Sequence, residues 1–454
     1  MSMFQIGLSG LKSTQSALEV TSNNIANSST SGFKTGSAEF ASVYNGGQRG
    51  GVTVSDIKED FSTNGNLVRT GKELDLAITG KGFFTVSHNG RVAYTQAGQF
   101  SLDDDLNIVA ANGAKLQGYG IDDQPDPNLI PGVMTDLKVE GSNMAAEAST
   151  NISFAGNLSS ASDAIPYPVA PATFDPSNGS AYNFSQSTEI FDSLGNSHVL
   201  TQYFNHTGAN AWNVMYFVDG KPLSAAQLAG TPGTVGNQDV DVNGATVSAG
   251  VVSVTFDAEG QMQPLDPGFV VPGGGVPDNN KIDPYNQRKV QLNFNPLDES
   301  GNPNGAAPVN ISLDMTTTTQ FGSGFAMYKN DANGYTAGEF SGVSVAEDGK
   351  VYATFTNGES KLQGQVVLAS FANVNGLEPG DNSVWYQTSA SGDALYGAPG
   401  TGTGGDLLSG SYMGSNVNIS EQLVDLMSFQ QNYQANAKSI SSADEMMQIL
   451  FNAT

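Results

Sequence analysis

The sequence contains no cysteine. Disulfide frameworks, thiol catalysis and cysteine-bound zinc are therefore excluded. Positive charge is also scarce: 18 Lys and Arg stand against 44 Asp and Glu, a formal net charge of −26. Between Val139 and Asn280 the imbalance sharpens, with Lys221 the lone basic residue against thirteen acidic ones. Such a chain repels phosphate backbones and anionic lipid, so neither nucleic acid nor a membrane surface is an expected partner. The acidic stretch itself reads as a solvated surface that keeps the protein soluble. No apolar run approaches the ~18 residues of a membrane span, so no membrane insertion is expected. The N-terminus, MSMFQIGLSGLKS, lacks the basic and continuously apolar regions of a secretory signal, which predicts export, if any, by another route.

Signs of catalysis are missing as well. The three histidines, His88, His198 and His206, fit no common metal-ligand spacing. GTGTGG at 400–405 lacks the following Lys-Ser/Thr of a phosphate loop and reads as a flexible connection. Asp103-Asp104-Asp105 lacks the glycine and distal glutamate of a calcium loop. No G-x-S-x-G elbow occurs, and carboxylate pairs carry no information in so acidic a chain. No catalytic, cofactor or metal site is predicted, and the chain is not expected to be an enzyme.

What is present is glycine, 54 residues of it, and enough apolar content (38%, with 23 Phe and 15 Tyr) to build cores. The length suggests two to four domains. Near the start, Phe4, Leu11, Leu18 and Ile25 recur every seven residues, with Leu8 beside them. The rest of this stretch is small or polar, so the pattern predicts an amphipathic helix with a narrow seam. It closes in a turn-rich run where Gly32 can take positive φ. At the other end Ile419, Leu426, Tyr433, Ile440 and Met447 are again seven apart, and Leu423, Ala437 and Phe451 fill much of a second lane. Asn418 followed by Glu421 predicts the start of this second helix. Large apolar side chains so close to the chain ends predict that something binds them, and a neighbouring molecule is the expected partner.

Between the ends the signals change to strands. Asn89-Gly90, Asn112-Gly113, Asp348-Gly349 and Asn357-Gly358 punctuate apolar runs and suit hairpin turns. Two stretches also resemble each other. Tyr94-Thr95, Ala97-Gly98, Phe100-Ser101, Asn112-Gly113 and Lys115-Leu116-Gln117-Gly118 reappear as Tyr335-Thr336, Ala337-Gly338, Phe340-Ser341, Asn357-Gly358 and Lys361-Leu362-Gln363-Gly364. The expected fold is multidomain and mainly β, with terminal helices paired as a coiled coil around nested, discontinuous domains. Residues 1–32 and 415–454 form the helical assembly domain, 33–70 a linker, and 71–149 with 331–414 an inner β domain. Residues 150–330 form an inserted outer β domain. Within the insert, TEIFDSLGNSHVLTQYF and WNVMYFVDG read as strands, and VVPGGGVPDNN as an exposed loop.

Asn23-Asn24-Ile25-Ala26-Asn27, followed by Thr30, Gly32, Phe33 and Lys34, resembles the N-terminal signature of the bacterial flagellar rod and hook proteins. The C-terminal stretch SNVNISEQLVDLMSFQQNYQANAKSISSADEMMQIL is similar to the last helix of that family. TGKELDLAITGKGFF and GYTAGEFSGVSVAEDGKV resemble its shared β domain, and IFDSLGNSHV with VTFDAEGQM the insert of its hook members. One departure is Met413, where the family tends to carry an acid. The resemblance implies a structural subunit that polymerises with itself into a bendable, torque-transmitting tube between rod and filament. It implies further partners: the hook cap, the distal rod, the hook–filament junction proteins and the type III export apparatus. Phe40, Val43 and Tyr44 resemble an export-recognition patch, and a loop docked on the β domain is the alternative reading. Another axial role, distal rod or junction, and a secreted adhesin-like β-protein are the rival functions.

Overall fold

The structure, a computed structural model, describes residues 3–453 apart from 46–47, 123, 125–126, 166–172, 209, 234, 243, 267, 269–285, 299 and 403; the side chains of residues 3, 44–45, 48–49 and 450–453 are also outside the description. The loop VVPGGGVPDNN lies outside the described residues. The chain is mainly β, with one long helix at each end: α1 (Met3–Ala26) and α2 (Ile419–Ala453). Both are free of proline, and both end or begin where the sequence supplies a cap. Asn27 Nδ2 donates to the Asn23 carbonyl at 3.0 Å, closing α1. Asn418 Oδ1 accepts the Ser420 amide at 3.2 Å, opening α2, with Glu421 in its first turn.

The chain divides into two compact units. The first comprises Met1–Ser142, Phe340–Thr354 and Ser360–Thr454, and the second Asn143–Glu339 and Phe355–Glu359. The breaks fall outside the expected 149/150 and 330/331. The reason is local: Met144 pairs with Gly338 and Glu147 with Tyr335, so the two connecting segments bond to each other and belong to the second unit.

In the first unit, the segment expected to be a linker instead forms a long antiparallel hairpin, β1 (Gly36–Asn45) and β2 (Gln48–Glu59). The repeated sequences form two three-stranded meanders. Phe100–Leu102, Ile108–Ala110 and Lys115–Ile121 make one, and Phe340–Val345, Lys350–Phe355 and Ser360–Val366 the other. Their last strands pair antiparallel, Gly118 opposite Val366 and Tyr119 opposite Gln365, so the meanders meet about a local pseudo-twofold axis. Equivalent glycines allow the close approach there: a Cβ on Gly118 would lie 2.1 Å from the Gln365 carbonyl oxygen, and one on Gly364 2.8 Å from that of Tyr119. Of the four turns expected from the sequence, Asn89-Gly90 uses positive φ at both residues (51° and 77°), whereas at 112–113, 348–349 and 357–358 the glycine alone does so.

The second unit is built on a six-stranded and a five-stranded sheet. Strand Ala211–Val218 shows how the sequence sorts itself between two cores by alternation. Trp212, Val214 and Tyr216 join Phe154, Leu292 and Ile311 in one buried cluster, while Met215 and Phe217 join Phe174 and Val240 in another. The DSLGN turn is fixed by Asp192, which accepts the amides of Leu194 and Asn196 (each 2.9 Å) and the side-chain amides of Asn196 (3.0 Å) and Asn304 (2.6 Å). Burial alone would raise this carboxyl, but the bonds outweigh it and hold the group at about 2. His198 lies between Asp219 (2.7 Å) and Asp192 (3.3 Å), and His206 meets the Ser162 carbonyl at 2.9 Å. Both histidines thus have structural partners.

Candidate assembly surface

The surface of interest is carried by α1, α2 and the β1–β2 hairpin. Along α1 the buried residues are not the large apolar ones. Gly7, Ser13, Thr14, Ala17, Thr21 and Asn24 are buried, whereas Phe4 and Leu8 are exposed and Leu11, Leu18 and Ile25 are half-buried. Gly7, Thr14 and Thr21, with Gly10, Ala17 and Asn24, form a second heptad pattern made of small residues.

That small face meets α2. A Cβ on Gly7 would sit 2.8 Å from the Ile440 side chain, and one on Gly10 2.9 Å from the Asn436 amide. Asn436 Nδ2 also reaches Thr14 Oγ1 at 3.5 Å, and Asn24 Nδ2 donates to Gln422 Oε1 at 2.8 Å. Early residues of α1 meet late residues of α2, so the two helices run antiparallel. On its other side α1 meets β2: the Val52 amide donates to Ser9 Oγ at 3.3 Å, and Ser13 Oγ donates to the Val52 carbonyl at 3.4 Å.

On α2, Gln422 and Ala443 are buried, and Leu426 and Ile440 are half-buried. Ile419, Leu423, Tyr433, Ala437 and Met447 are exposed, and the Phe451 side chain lies outside the described ones. Among the described side chains, four further large apolar residues escaped the seven-residue reading and are exposed: Val424, Met427, Met446 and Ile449, the last 66% exposed. Their signal was present only as surplus apolar content off the stripe. A helix with apolar side chains on nearly every face is characteristic of one buried in an assembly.

The N-terminal motif lies where α1, α2 and β1 meet. Asn24, only 2% exposed, makes three bonds: to Gln422, and reciprocally to the Gly36 carbonyl (2.8 Å) and amide (2.9 Å). Asn27 accepts the Thr30 hydroxyl at 3.1 Å. Gly32, at φ 69°, passes so close to Ala97 that a Cβ would lie 2.4 Å from the Ala97 nitrogen. Asn23 and Ala26 are exposed, and Phe33 is half-buried with its carbonyl accepting the Asn416 amide at 3.4 Å.

Asn416 fastens the same junction from the C-terminal side. Its Oδ1 accepts the amide (2.7 Å) and hydroxyl (2.9 Å) of Thr35, and its Nδ2 donates to the Asp60 carbonyl at 2.9 Å. Lys34 is 2% exposed and donates to the Thr63 carbonyl at 3.0 Å. Burial pushes its ammonium down to about 8, against the opposing pull of Asp60. Met413, the departure noted in the sequence, contributes through its backbone: its carbonyl accepts the Gly32 amide (2.9 Å) and the Ser31 hydroxyl (3.1 Å). Its side chain is buried too, at 2% exposed.

Phe40 is exposed on β1 and Val43 is half-buried, while the Tyr44 side chain lies outside the described ones. Among the described residues no helix is long and apolar enough to cross a membrane, and no cluster of residues is suited to hold a metal ion.

Comparison with known proteins agrees with this layout. Four family models match in sequence order: flagella basal body rod protein over 4–34, flagellar hook protein FlgE/F/G D1 domain over 77–159, flagellar basal body protein FlaE D2 domain over 157–335, and flagellar basal body rod FlgEFG protein C-terminal over 408–453. The flagellar hook protein FlgE of Escherichia coli K12 is 36% identical over 453 residues, covering 99% of both chains. That of Salmonella typhimurium LT2 is 33% identical, again over 99% of both chains. That of Rhizobium meliloti is 28% identical, covering 98% of this chain and 97% of its own.

Proposed function

The chain belongs to the flagellar hook protein family, and from that premise we propose that α1 and α2 pair as an antiparallel coiled coil whose outward apolar faces join one subunit to the next. The protein is a structural subunit of the bacterial flagellar hook, the self-assembled, bendable tube that joins rod to filament and transmits torque for motility. The observation that carries the proposed division of labour is the split between the two heptad patterns on α1. The small one (Gly7, Gly10, Thr14, Ala17, Thr21, Asn24) is used within the chain, while Phe4 and Leu8 remain exposed. Exposed apolar residues on α2, including Ile419, Leu423, Val424 and Met427, extend the unpartnered surface.

A head-to-tail contact of this kind, repeated by a rotation and a rise, makes a helical tube rather than a closed ring. The axial neighbours of the subunit, namely the distal rod, the hook cap and the hook–filament junction proteins, would meet the same helical ends. Type III export as an unfolded chain fits a cysteine-free sequence, and the exposed Phe40 with Val43 is the proposed recognition patch. In this reading the domains are nested along the chain: the helical ends enclose the inner β domain, which in turn encloses the insert. An acidic, glycine-rich insert suits weak, wet contacts that slide or re-form during bending.

Electron microscopy of the purified full chain after salting-out or seeding tests the reading. Long hollow tubes are expected. A permanently monomeric protein whose ends stay folded and protease-resistant would overturn it.

A further inference from the structure

The seam between α1 and α2 raises a problem of register. Large apolar knobs fix how two helices align, because each fits one hole. This seam has few of them: glycine, alanine and threonine line the α1 side. Residues of that size give few steric locks, Ile440 seated at Gly7 being one. A slip of one heptad would move α2 along α1 by about 10 Å at 1.5 Å per residue. The outward residues Phe4 and Leu8 would then stand beside a different set of α2 side chains, and the surface offered to the next subunit would change.

What distinguishes the observed register is polar: Asn416 ties the chain just before α2 to Thr35 and Asp60, and two contacts act along the seam itself. Asn24 and Gln422 are both buried and bond to each other at 2.8 Å near one end of the seam. Nearer the other end, Asn436 occupies the space left by the missing Cβ of Gly10 and reaches Thr14. In any slipped register the Gln422 amide leaves Asn24 for a small or apolar surface, and both groups lose a buried partner. Asn24 cannot follow, because its carbonyl oxygen and amide are also tied to Gly36 at the start of β1.

We propose that the Asn24–Gln422 pair is the register key of the terminal helices: it positions α2 on α1 and so sets the alignment of the outward apolar faces. The consequence for assembly rests on the hook-subunit reading; the register itself does not. In this role Gln422 is a positioning residue, and the Gln422→Leu variant separates register from fold because Asn24 keeps both bonds to Gly36.

The absence of cysteine makes the test direct. Cysteine pairs are introduced into the full chain at Gly7 with Ile440, for the observed register, and at Gly7 with Tyr433 or with Met447, for the slipped ones. Mild oxidation followed by mass spectrometry of the intrachain cross-linked peptides reads the register, in monomers and in tubes. With Gln422 present, the 7–440 cross-link is expected to exceed each slipped one by about tenfold or more, the scale of one buried hydrogen bond. In Gln422→Leu that excess is expected to fall by about tenfold, the Asn416 bonds to Thr35 and Asp60 holding the remainder. Gln422→Glu, which keeps an acceptor for Asn24, is expected to restore the preference. An unchanged preference in Gln422→Leu, or no 7–440 cross-link with Gln422 in place, overturns the proposal. Failure of tubes to form while the 7–440 cross-link persists contradicts the hook reading and leaves the register key standing.

Discussion

The indole of Trp385 donates a hydrogen bond to Glu59 at 2.5 Å, joining the end of the β1–β2 hairpin to the aromatic cluster of the first unit. Phe61, two residues beyond Glu59, stacks edge-on against Trp385 with ring centroids 5.4 Å apart, and Phe83 does so at 5.8 Å. Burial pushes the Glu59 carboxyl up, and the indole bond offsets only part of that rise. Trp385→Phe leaves this carboxyl without its donor. It is expected to destabilise the first unit by about 1–3 kcal/mol. Hydrogen exchange of the amides in 48–59 is expected to accelerate, while Trp212, buried in the second unit, reports an unchanged urea transition. An unchanged exchange rate would show that the hairpin is held by other contacts.

The buried Lys34 gives the junction a pH signature. Its ammonium titrates at about 8 in the folded protein and at 10.5 when free, so between these values the unfolded chain binds more protons. Stability contributed at this site therefore rises as pH rises from about 8 to 10.5, and the cost of burying the charge is fully present below 8. The stability difference between Lys34→Met and the parent chain is expected to shrink across that window by up to about 3 kcal/mol. Urea unfolding at pH 7, 9 and 10.5 measures it, and a constant difference would contradict the assignment.

The pseudo-twofold axis makes glycine substitutions unequal. Gly118→Ala places a methyl group 2.1 Å from a carbonyl oxygen, whereas a Cβ on Gly113 meets nothing and strains only its φ of 77°. Gly118→Ala is expected to cost about 3 kcal/mol or more, and Gly113→Ala about 1 kcal/mol. Thermal unfolding of the two variants separates them, and equal losses would contradict the close approach.

The ends of the second unit are paired, Glu147 with Tyr335 and Met144 with Gly338. The Thr150 and Asn151 amides both donate to Asn333 Oδ1, at 2.8 and 2.7 Å. A short Gly-Ser linker replacing 149–333 therefore spans the gap without disturbing the first unit. Tubes are expected to form from this variant with altered bending and supercoiling. Loss of the tube itself would contradict the division of labour between the terminal helices and the insert.

The sequence disclosed the helices because their large apolar residues repeat every seven positions. Yet that pattern marked chiefly the outward face, where Phe4 and Leu423 are exposed, with Ile440 against Gly7 an exception. The seam within the chain was illegible because glycine, threonine and asparagine there look like solvent-facing residues. The repeat around Lys115–Gly118 and Lys361–Gly364 was legible, since its turn and strand residues recur in order, although that these copies meet in one sheet was not. The β1–β2 hairpin was missed because Gly36, Ser37, Ser42 and Gly51 interrupt any strand alternation. Its burial comes from lying on α1, a contact that local pattern does not encode. The bonds of Asn24 to Gly36 and Gln422 were equally hidden, as one joins it to a residue 398 positions away.

The central claim is that the outward apolar residues of α1 and α2 join subunits and contribute little to the isolated fold. Sedimentation of the assembled fraction after seeding, compared between the parent chain and a Leu8→Ser, Leu423→Ser, Met427→Ser variant, tests it most directly. The account predicts at least a tenfold loss of pelletable tubes, with the unfolding free energy of the monomer changed by less than about 1 kcal/mol, as expected for exposed positions. Tubes in undiminished yield from the variant would contradict it.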